Sequence, residues 1–193
     1  MRISYNSPVV LTLTFVCVCI MAIDSLTGSM KFTHTFFTVY PVFNPDHPLD
    51  YLRLFSHALG HGGWGHLVSN FTVILLLGPI LEEKYGSKAL LTMMFTTAFV
   101  TGILNVLFFP TALLGASGLV FMFIILSSIT NLQKGEIPLT FVLISVLFLG
   151  QEVWNAFKDD NVSQFAHIMG GIFGAVFGLK VQAGKKTNTT PTT

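Results

Sequence analysis

Six apolar runs of spanning or nearly spanning length follow one another along the chain. They cover residues 8–27, 65–83, 88–109, 117–132, 137–157 and 164–182. A helix needs about 20 apolar residues to cross the hydrocarbon core of a bilayer. The pattern therefore predicts an all-α membrane protein with six transmembrane helices.

The first run, from Val9 to Ile23, follows Arg2 and at first sight has the features of a cleaved signal peptide. No small-x-small cleavage site ends it, and five further apolar runs come after it. We interpret the run as the first transmembrane helix and keep a cleaved signal as the alternative.

A long segment, Gly28 to Trp64, separates the first run from the second. It is rich in aromatic residues and contains three prolines and four histidines. This composition predicts a structure that lies in the membrane interface. At the other end of the chain the polar, threonine-rich residues are predicted to be disordered. We therefore expect one membrane domain, residues 1–182, and a tail, residues 183–193.

Composition supports lipid as the solvent of this protein. Charged residues make up only 10% and hydrophobic residues 52%, with a mean hydropathy of +0.70. An average soluble domain carries about 25% charged residues. The net charge of +1 argues against nucleic acid as a partner. The sequence does not define an oligomeric state.

The distribution of Lys and Arg predicts the orientation in the membrane. Six crossings place both termini on one side, together with Arg2, Lys84, Lys88, Lys134, Lys180, Lys185 and Lys186. The opposite side has Lys31, Arg53 and Lys158. The positive-inside rule then predicts cytoplasmic termini. In a bacterium this would be the inner membrane.

The fourth run is short and begins at a serine. Gly115, Ala116, Ser117 and Gly118 precede or open it. A helix from Ser117 to residue 130 is roughly 20 Å long, whereas the hydrocarbon core is about 30 Å thick. Ser117 would then lie about 10 Å below one surface, after irregular backbone that must line a wet pocket. Free N–H groups there favour an oxyanion, although a plain helix cap is the alternative.

His167 in the sixth run is an ionisable residue inside a predicted span, which marks a functional site by default. Gly171, Gly174 and Gly178 follow it at helical spacing and let a neighbouring helix approach. We expect the fourth helix to be that neighbour, so that His167 acts as the base that a serine nucleophile requires. A structural histidine bonded to a carbonyl is the alternative.

His66 and Asn70 lie four residues apart and share one face at the start of the second predicted span. Both side chains can donate hydrogen bonds, so they could complete an oxyanion hole. They could instead only cross-link helices. His57, His61 and His66 could in principle hold a metal, but no acidic or Cys ligand is near. We expect His57 and His61 to be structural, and we expect no metal and no cofactor.

Acidic residues are absent from the apolar runs near Ser117 and His167. A hydrolase built on these residues would use a Ser–His dyad. The same absence argues against an intramembrane aspartyl protease, and no HExxH motif of a zinc protease occurs.

These motifs resemble the rhomboid family of intramembrane serine proteases over residues 50–180. The pattern HxxxxHxxxN matches His61, His66 and Asn70, GxSG matches Gly115, Ser117 and Gly118, and AHxxGxxxG matches Ala166, His167, Gly170 and Gly174. Arg53 resembles the family's first-loop arginine, and Glu82 with Gly86 its ExxxG motif. The resemblance implies Ser117 as nucleophile, His167 as base, and His66 and Asn70 as the oxyanion pair. We group Gly115 and Ala116 with that oxyanion and substrate-binding set.

The resemblance also implies a substrate, namely a transmembrane helix with small, helix-breaking residues near its top. It implies that the fifth helix and the loop from Lys158 to Gln164 act as gate and cap, with Trp154 and Phe157 in the gate. Two positions depart from the common pattern: Leu52 stands where many members carry Trp, and Phe121 where some carry a Tyr that stacks on the catalytic His. A catalytically inactive rhomboid-like binder and a small transporter are the rival predictions.

Overall fold

The computed structural model describes residues 3–131, residues 164–187 and the positions 139, 142–143, 146–147 and 150 between them. The described elements are helices: α1 Pro8–Thr27, α2 Lys31–Phe36, α3 Pro48–Ser56, a 3₁₀ turn His57–Leu59, α4 Trp64–Tyr85, α5 Ser87–Phe108, α6 Ser117–Asn131 and α7 Gln164–Thr187. Within these ranges the extended backbone is limited to one isolated antiparallel bridge between Val39 and Leu113.

Three helices are long and apolar enough to cross a membrane. They are α1, α4 and α5, with mean hydropathies of 2.4, 1.5 and 1.8. Helices α6 and α7 contain shorter apolar stretches, Ser117–Ile129 and Phe165–Lys180. The all-α membrane fold is confirmed to this extent. The fifth predicted run lies mostly outside the described residues, so the count of six spans stays a prediction.

The predicted runs agree closely with the described helices. Four of them match α1, α4, α5 and α6 to within two residues at each end. The sixth run begins with α7 at Gln164, but the helix continues to Thr187, past the boundary that we placed at residue 182. The division into domain and tail stays a prediction, because residues 188–193 lie outside the described part of the chain.

One carboxylate joins the ends of three helices. Glu82 near the end of α4 is 4% exposed and accepts the Val9 and Val10 N–H groups at 3.0 and 3.1 Å. It also accepts the Ser87 hydroxyl at 2.7 Å. The N–H groups of a first helical turn have no partner within the helix. Glu82 therefore caps α1 and holds it against the α4–α5 turn, where Gly86 takes a φ of 80°.

A second buried carboxylate, Asp24, ties the long first loop to α1. It accepts the Phe32 and Thr33 N–H groups at the start of α2, both at 3.0 Å. Further along, the Arg53 guanidinium donates to the Thr35 carbonyl at 2.9 and 2.7 Å and pairs with Asp50. Burial raises the pKa of Asp50, but hydrogen bonds from the Asn44 N–H and from Arg53 outweigh it and hold that pKa below its usual value. The loop is thus an ordered element.

The predicted interfacial segment exposes aromatic and apolar side chains. Tyr40, Val42, Tyr51, Leu52 and Trp64 are all at least 39% exposed. Aromatic rings with one polar end favour the boundary between lipid and water. This exposure agrees with a segment that rests on the membrane surface.

The short helix α6 lies at the centre of the described helices. Its Met122, Phe123 and Leu126 side chains are fully buried. Helix α7 packs on it through small residues: a Cβ added at Gly170 would lie 1.9 Å from the Gly118 carbonyl oxygen, and one at Gly174 would lie 2.6 Å from the Met122 carbonyl oxygen. Only glycine permits this backbone contact. The packing brings the start of α6 to the start of α7.

Candidate active site

A loop of residues 109–116 leads into α6, and we call it the nucleophile loop after the role that the sequence predicts for Ser117. Gly115 has a φ of 117°, which side-chain-bearing residues rarely adopt. A Cβ at this position would lie 2.7 Å from His66 Cε1 and 2.8 Å from His66 Nε2. The Gly115 N–H donates to the His57 carbonyl at 2.9 Å. Glycine is therefore required twice here, for the backbone angle and for the close approach of the His66 ring.

Ser117 is the first residue of α6 and is half-buried. The N–H of the preceding residue, the fully buried Ala116, faces His61 Nε2 at 3.5 Å. The first N–H groups of a helix have no acceptor within that helix. Ser117 and Gly118 belong to this first turn, so their N–H groups have no acceptor within α6.

His167 lies on the α7 face that packs against α6. Its ring stacks on Phe121 with centroids 4.7 Å apart and planes 10° from parallel. Phe121 follows Ser117 by one helical turn and shares its face. A Cβ added at Gly118, next to Ser117, would lie 3.2 Å from the carbonyl oxygen of Ala166, the residue before His167. The packing thus brings the serine and the imidazole to the same end of the helix pair.

His66 and Asn70 flank the other side of the nucleophile loop. The tip of the exposed His66 ring is directed at Gly115, since Cε1 and Nε2 are the His66 atoms that a Cβ at Gly115 would meet. Asn70 is only 6% exposed, and its Nδ2 lies 3.8 Å from where a Gly115 Cβ would be. Among the described residues this buried amide nitrogen finds no hydrogen-bond acceptor. A buried donor without a partner is costly in a protein interior, so its position beside the loop calls for an acceptor there.

Two further histidines, His57 and His61, lie near the loop and contact main-chain carbonyls. His57 Nε2 lies 2.9 Å from the Ala98 carbonyl of α5, and His61 Nδ1 lies 3.3 Å from the Leu59 carbonyl. Burial lowers the pKa of each to about 4, and the neighbouring His66 adds to the effect at His61. Both imidazoles are therefore neutral near pH 7. Within the described ranges no three His, Cys, Asp or Glu side chains are placed to hold a metal ion.

A small cavity lies behind the nucleophile loop. Its lining includes His57, Thr97, Thr101, Gly115 and Gly118. Its volume of about 10 Å³ is close to the space that one buried water needs. Thr101 Oγ1 and His57 Nδ1 are buried and have no hydrogen-bond partner among the described residues. Such polar atoms are the partners that an internal water requires.

The sequence contained a signal for this cavity that we did not use. Thr97, Thr101 and Asn105 recur every four residues in the apolar helix α5, and all three are buried. A polar stripe on a transmembrane helix faces the protein interior or water. Asn105 Nδ2 also donates to the Thr111 carbonyl at 2.9 Å and so holds the start of the nucleophile loop. In contrast, the hydrogen bond from the Gly115 N–H to the His57 carbonyl could not be recognised in the sequence, because both groups belong to the main chain.

Most of the predicted site residues lie around this one loop. Gly115 and Ala116 belong to it, Ser117 follows it, and His66 and Asn70 approach it at Gly115. His167 stacks on Phe121, one turn beyond Ser117. The gate residues Trp154 and Phe157 lie outside the described residues.

The described helices and this site define a class: a helical integral membrane protein with a serine at a helix start beside a buried imidazole. The Rhomboid domain family matches the chain over residues 48–183. This match covers more than half of the chain, and the chain belongs to the rhomboid family, whose members are intramembrane serine proteases. No curated protein sequence matches the chain significantly.

Proposed function

We propose that this protein is an intramembrane serine protease that cleaves a peptide bond in or near the transmembrane segment of a membrane-protein substrate, and that Ser117 and His167 form its catalytic dyad. The observation that carries the proposal is the stacking of His167 on Phe121, one turn along α6 from Ser117. The ring is 6% exposed, so packing holds its orientation. An imidazole held beside a hydroxyl is the arrangement that activates a serine.

In the proposed reaction, the Ser117 hydroxyl attacks the carbonyl carbon of the scissile bond while His167 takes its proton. The tetrahedral intermediate collapses to an acyl-enzyme, and His167 gives the proton to the leaving amine. Water then attacks the ester with His167 as base, which releases the new carboxylic acid and restores Ser117. No acidic residue is required to hold His167, because the Phe121 ring and the close α6–α7 contact already restrict the imidazole.

The negative charge of the intermediate needs donors, and three groups around Gly115 supply them in this proposal. They are the Ser117 N–H, the His66 ring and the Asn70 amide. The Asn70 Nδ2 has no acceptor among the described residues, which fits a donor whose partner arrives with the substrate. Preorganised donors of this kind lower the barrier because they do not have to reorient during the reaction. Gly115 and Ala116 contribute space, since neither places a bulky side chain beside the oxyanion.

Substrate, orientation and location follow from the same proposal. The substrate is a transmembrane segment that reaches Ser117 from the bilayer, and the hydrolytic water comes from the aqueous side of the loop. The Lys and Arg distribution favours cytoplasmic termini and, in a bacterium, the inner membrane. Trp154 and Phe157 of the fifth run remain the proposed gate.

Labelling with a fluorophosphonate probe tests the proposal, because such probes react only with activated serines. We expect the detergent-solubilised protein to be labelled, and the variants Ser117→Ala and His167→Ala to remain unlabelled and to lose at least 10³-fold in cleavage of a transmembrane substrate. Ser127→Ala is the matched control, since Ser127 lies on the same helix and its hydroxyl donates to the Ile124 carbonyl within that helix. It should label like the unchanged protein.

Full labelling of Ser117→Ala would overturn the assignment of the nucleophile. A folded protein that neither labels nor cleaves would instead support a rhomboid-like binder without catalytic activity.

A further inference from the structure

The main chain ahead of α4 contacts the side chain of His66. The Gly62 N–H donates to His66 Nδ1 at 3.3 Å. Only a nitrogen without a proton can accept this bond, and a neutral imidazole has one such nitrogen. In neutral His66 the proton is therefore on Nε2. That atom lies 2.8 Å from where a Gly115 Cβ would be, so the N–H is the part of the ring that faces the nucleophile loop.

The bond follows from the way α4 begins. Gly63 precedes the helix, and His66 is its third residue. A capping box is similar, in that a Glu or Gln side chain at this position accepts the N–H of the N-cap residue. Here the acceptor is a histidine and the donor is Gly62, one residue before the N-cap. The bond that ties the His66 ring to the chain ahead of the helix thus also determines which ring nitrogen carries the proton.

His61 provides an internal contrast. Its Nδ1 lies 3.3 Å from the Leu59 carbonyl oxygen, which can only accept a hydrogen bond, so its proton is on Nδ1. The unprotonated Nε2 of His61 then faces the Ala116 N–H. The two rings are 5.1 Å apart and nearly perpendicular. Two histidines five residues apart are therefore held in opposite tautomers by their separate main-chain partners.

We propose that Gly62 is a positioning residue: its N–H holds His66 in the tautomer with the proton on Nε2 and directs that proton at the site of the oxyanion. The inference rests on the proposed function, since it assigns His66 its part in that reaction. The opposite tautomer would present a lone pair to the oxyanion and would repel it. A wrong tautomer or a displaced ring removes one donor from the transition state and leaves substrate binding nearly intact.

Two substitutions of Gly62 separate its N–H from its size. Gly62→Ala keeps the N–H, and the added Cβ would meet no atom closer than His66 Nδ1 at 3.8 Å, an ordinary contact. Gly62→Pro removes the N–H. Gly62 does not have a positive φ, and it precedes the first helical turn, where proline is tolerated. The alanine variant is therefore the matched control for the proline variant.

The measurement is ¹⁵N NMR of the imidazoles in the full-length, histidine-labelled protein in detergent at about pH 8, where free histidine is neutral. The His66 signals are assigned as those lost in His66→Gln. We expect a proton on Nε2 of His66 and on Nδ1 of His61. In Gly62→Pro the ratio of the two His66 tautomers should fall about tenfold, the effect of one hydrogen bond. Its kcat should fall about two- to tenfold, because part of the population takes the wrong tautomer and the ring is held less firmly, with less than a twofold change in KM. Gly62→Ala should behave like the unchanged protein.

An unchanged tautomer ratio in a folded Gly62→Pro would overturn the inference. If Gly62→Pro does not fold, the spectrum of the unchanged protein still tests the inference. A His66 proton on Nδ1 in that spectrum would overturn the inference. The same spectrum in Ser117→Ala separates the two proposals. Since the tautomer does not depend on the nucleophile, failure of the probe to label Ser117 would overturn the function and leave the tautomer assignment standing.

Discussion

The His167 imidazole lies flat on the Phe121 ring, an uncharged hydrocarbon surface, whereas the carboxylate of a Ser–His–Asp triad bonds the edge of the imidazole at Nδ1–H. A stacked ring restricts rotation of the imidazole without stabilising its positive charge as a carboxylate would. Stacked aromatic pairs contribute about 0.5–1.5 kcal/mol beyond their buried area. The orientation of the proposed base therefore depends on a contact of moderate strength.

Phe121→Leu removes the ring but keeps an apolar side chain. We expect kcat for a transmembrane substrate to fall about two- to tenfold, since the stacking energy no longer holds His167 in place. Phe121→Tyr keeps the ring and is the control, with a kcat within about twofold of the unchanged protein. Equal kcat values for the leucine and tyrosine variants would contradict a role of the ring in orienting His167.

At the scale of the elements, the positions of the helices could largely be predicted from the sequence. The contacts that hold one helix to the next could not. The runs that became α1, α4, α5 and α6 could be located because apolar length alone defines a span. The shortness of α6 also predicted a serine at membrane depth. Neighbouring helices are held together by single hydrogen bonds from main-chain N–H groups to side chains, such as the bonds that Asp24 and Glu82 accept. Composition does not indicate these bonds.

The Glu82 joint gives a stability prediction. Glu82→Gln replaces one carboxylate oxygen with an amide that cannot accept the Val9 or Val10 N–H, so one donor at the start of α1 is left buried and unpaired. We expect a loss of about 2–3 kcal/mol in the free energy of unfolding. Glu83→Gln changes the exposed neighbour and should stay within about 0.5 kcal/mol. Unfolding by SDS titration, followed by circular dichroism, measures both, and equal effects would argue against the cap.

Across the whole molecule, the candidate site assembles from segments far apart in the chain. The motifs predicted that a serine, a histidine and two side-chain donors from three helices would lie close together, because the proposed chemistry needs all of them. They could not predict the support from His57, whose carbonyl accepts the Gly115 N–H. That contact joins residues almost sixty positions apart through main-chain atoms, which any residue provides.

The buried neutral histidines make global stability depend on pH. The folded pKa values of His57 and His61 are lowered to about 4, whereas their unfolded values lie near 6.5. Between these values the unfolded chain binds more protons, so stability falls as the pH drops from 6.5 to 4 and is unaffected by these groups above that window. We expect the thermal unfolding midpoint in detergent to decrease over this range. His57→Gln should make the decrease shallower, and an unchanged slope would show that His57 does not cause it.

The first loop and the nucleophile loop are fastened to each other at two places. Val39 and Leu113 exchange both of their main-chain hydrogen bonds at 2.9 Å, and the His57 carbonyl accepts the Gly115 N–H. The same first loop exposes Tyr51 and Leu52 to its surroundings. We therefore expect the depth at which these side chains settle among the lipid headgroups to influence the depth of Ser117 in the membrane as well.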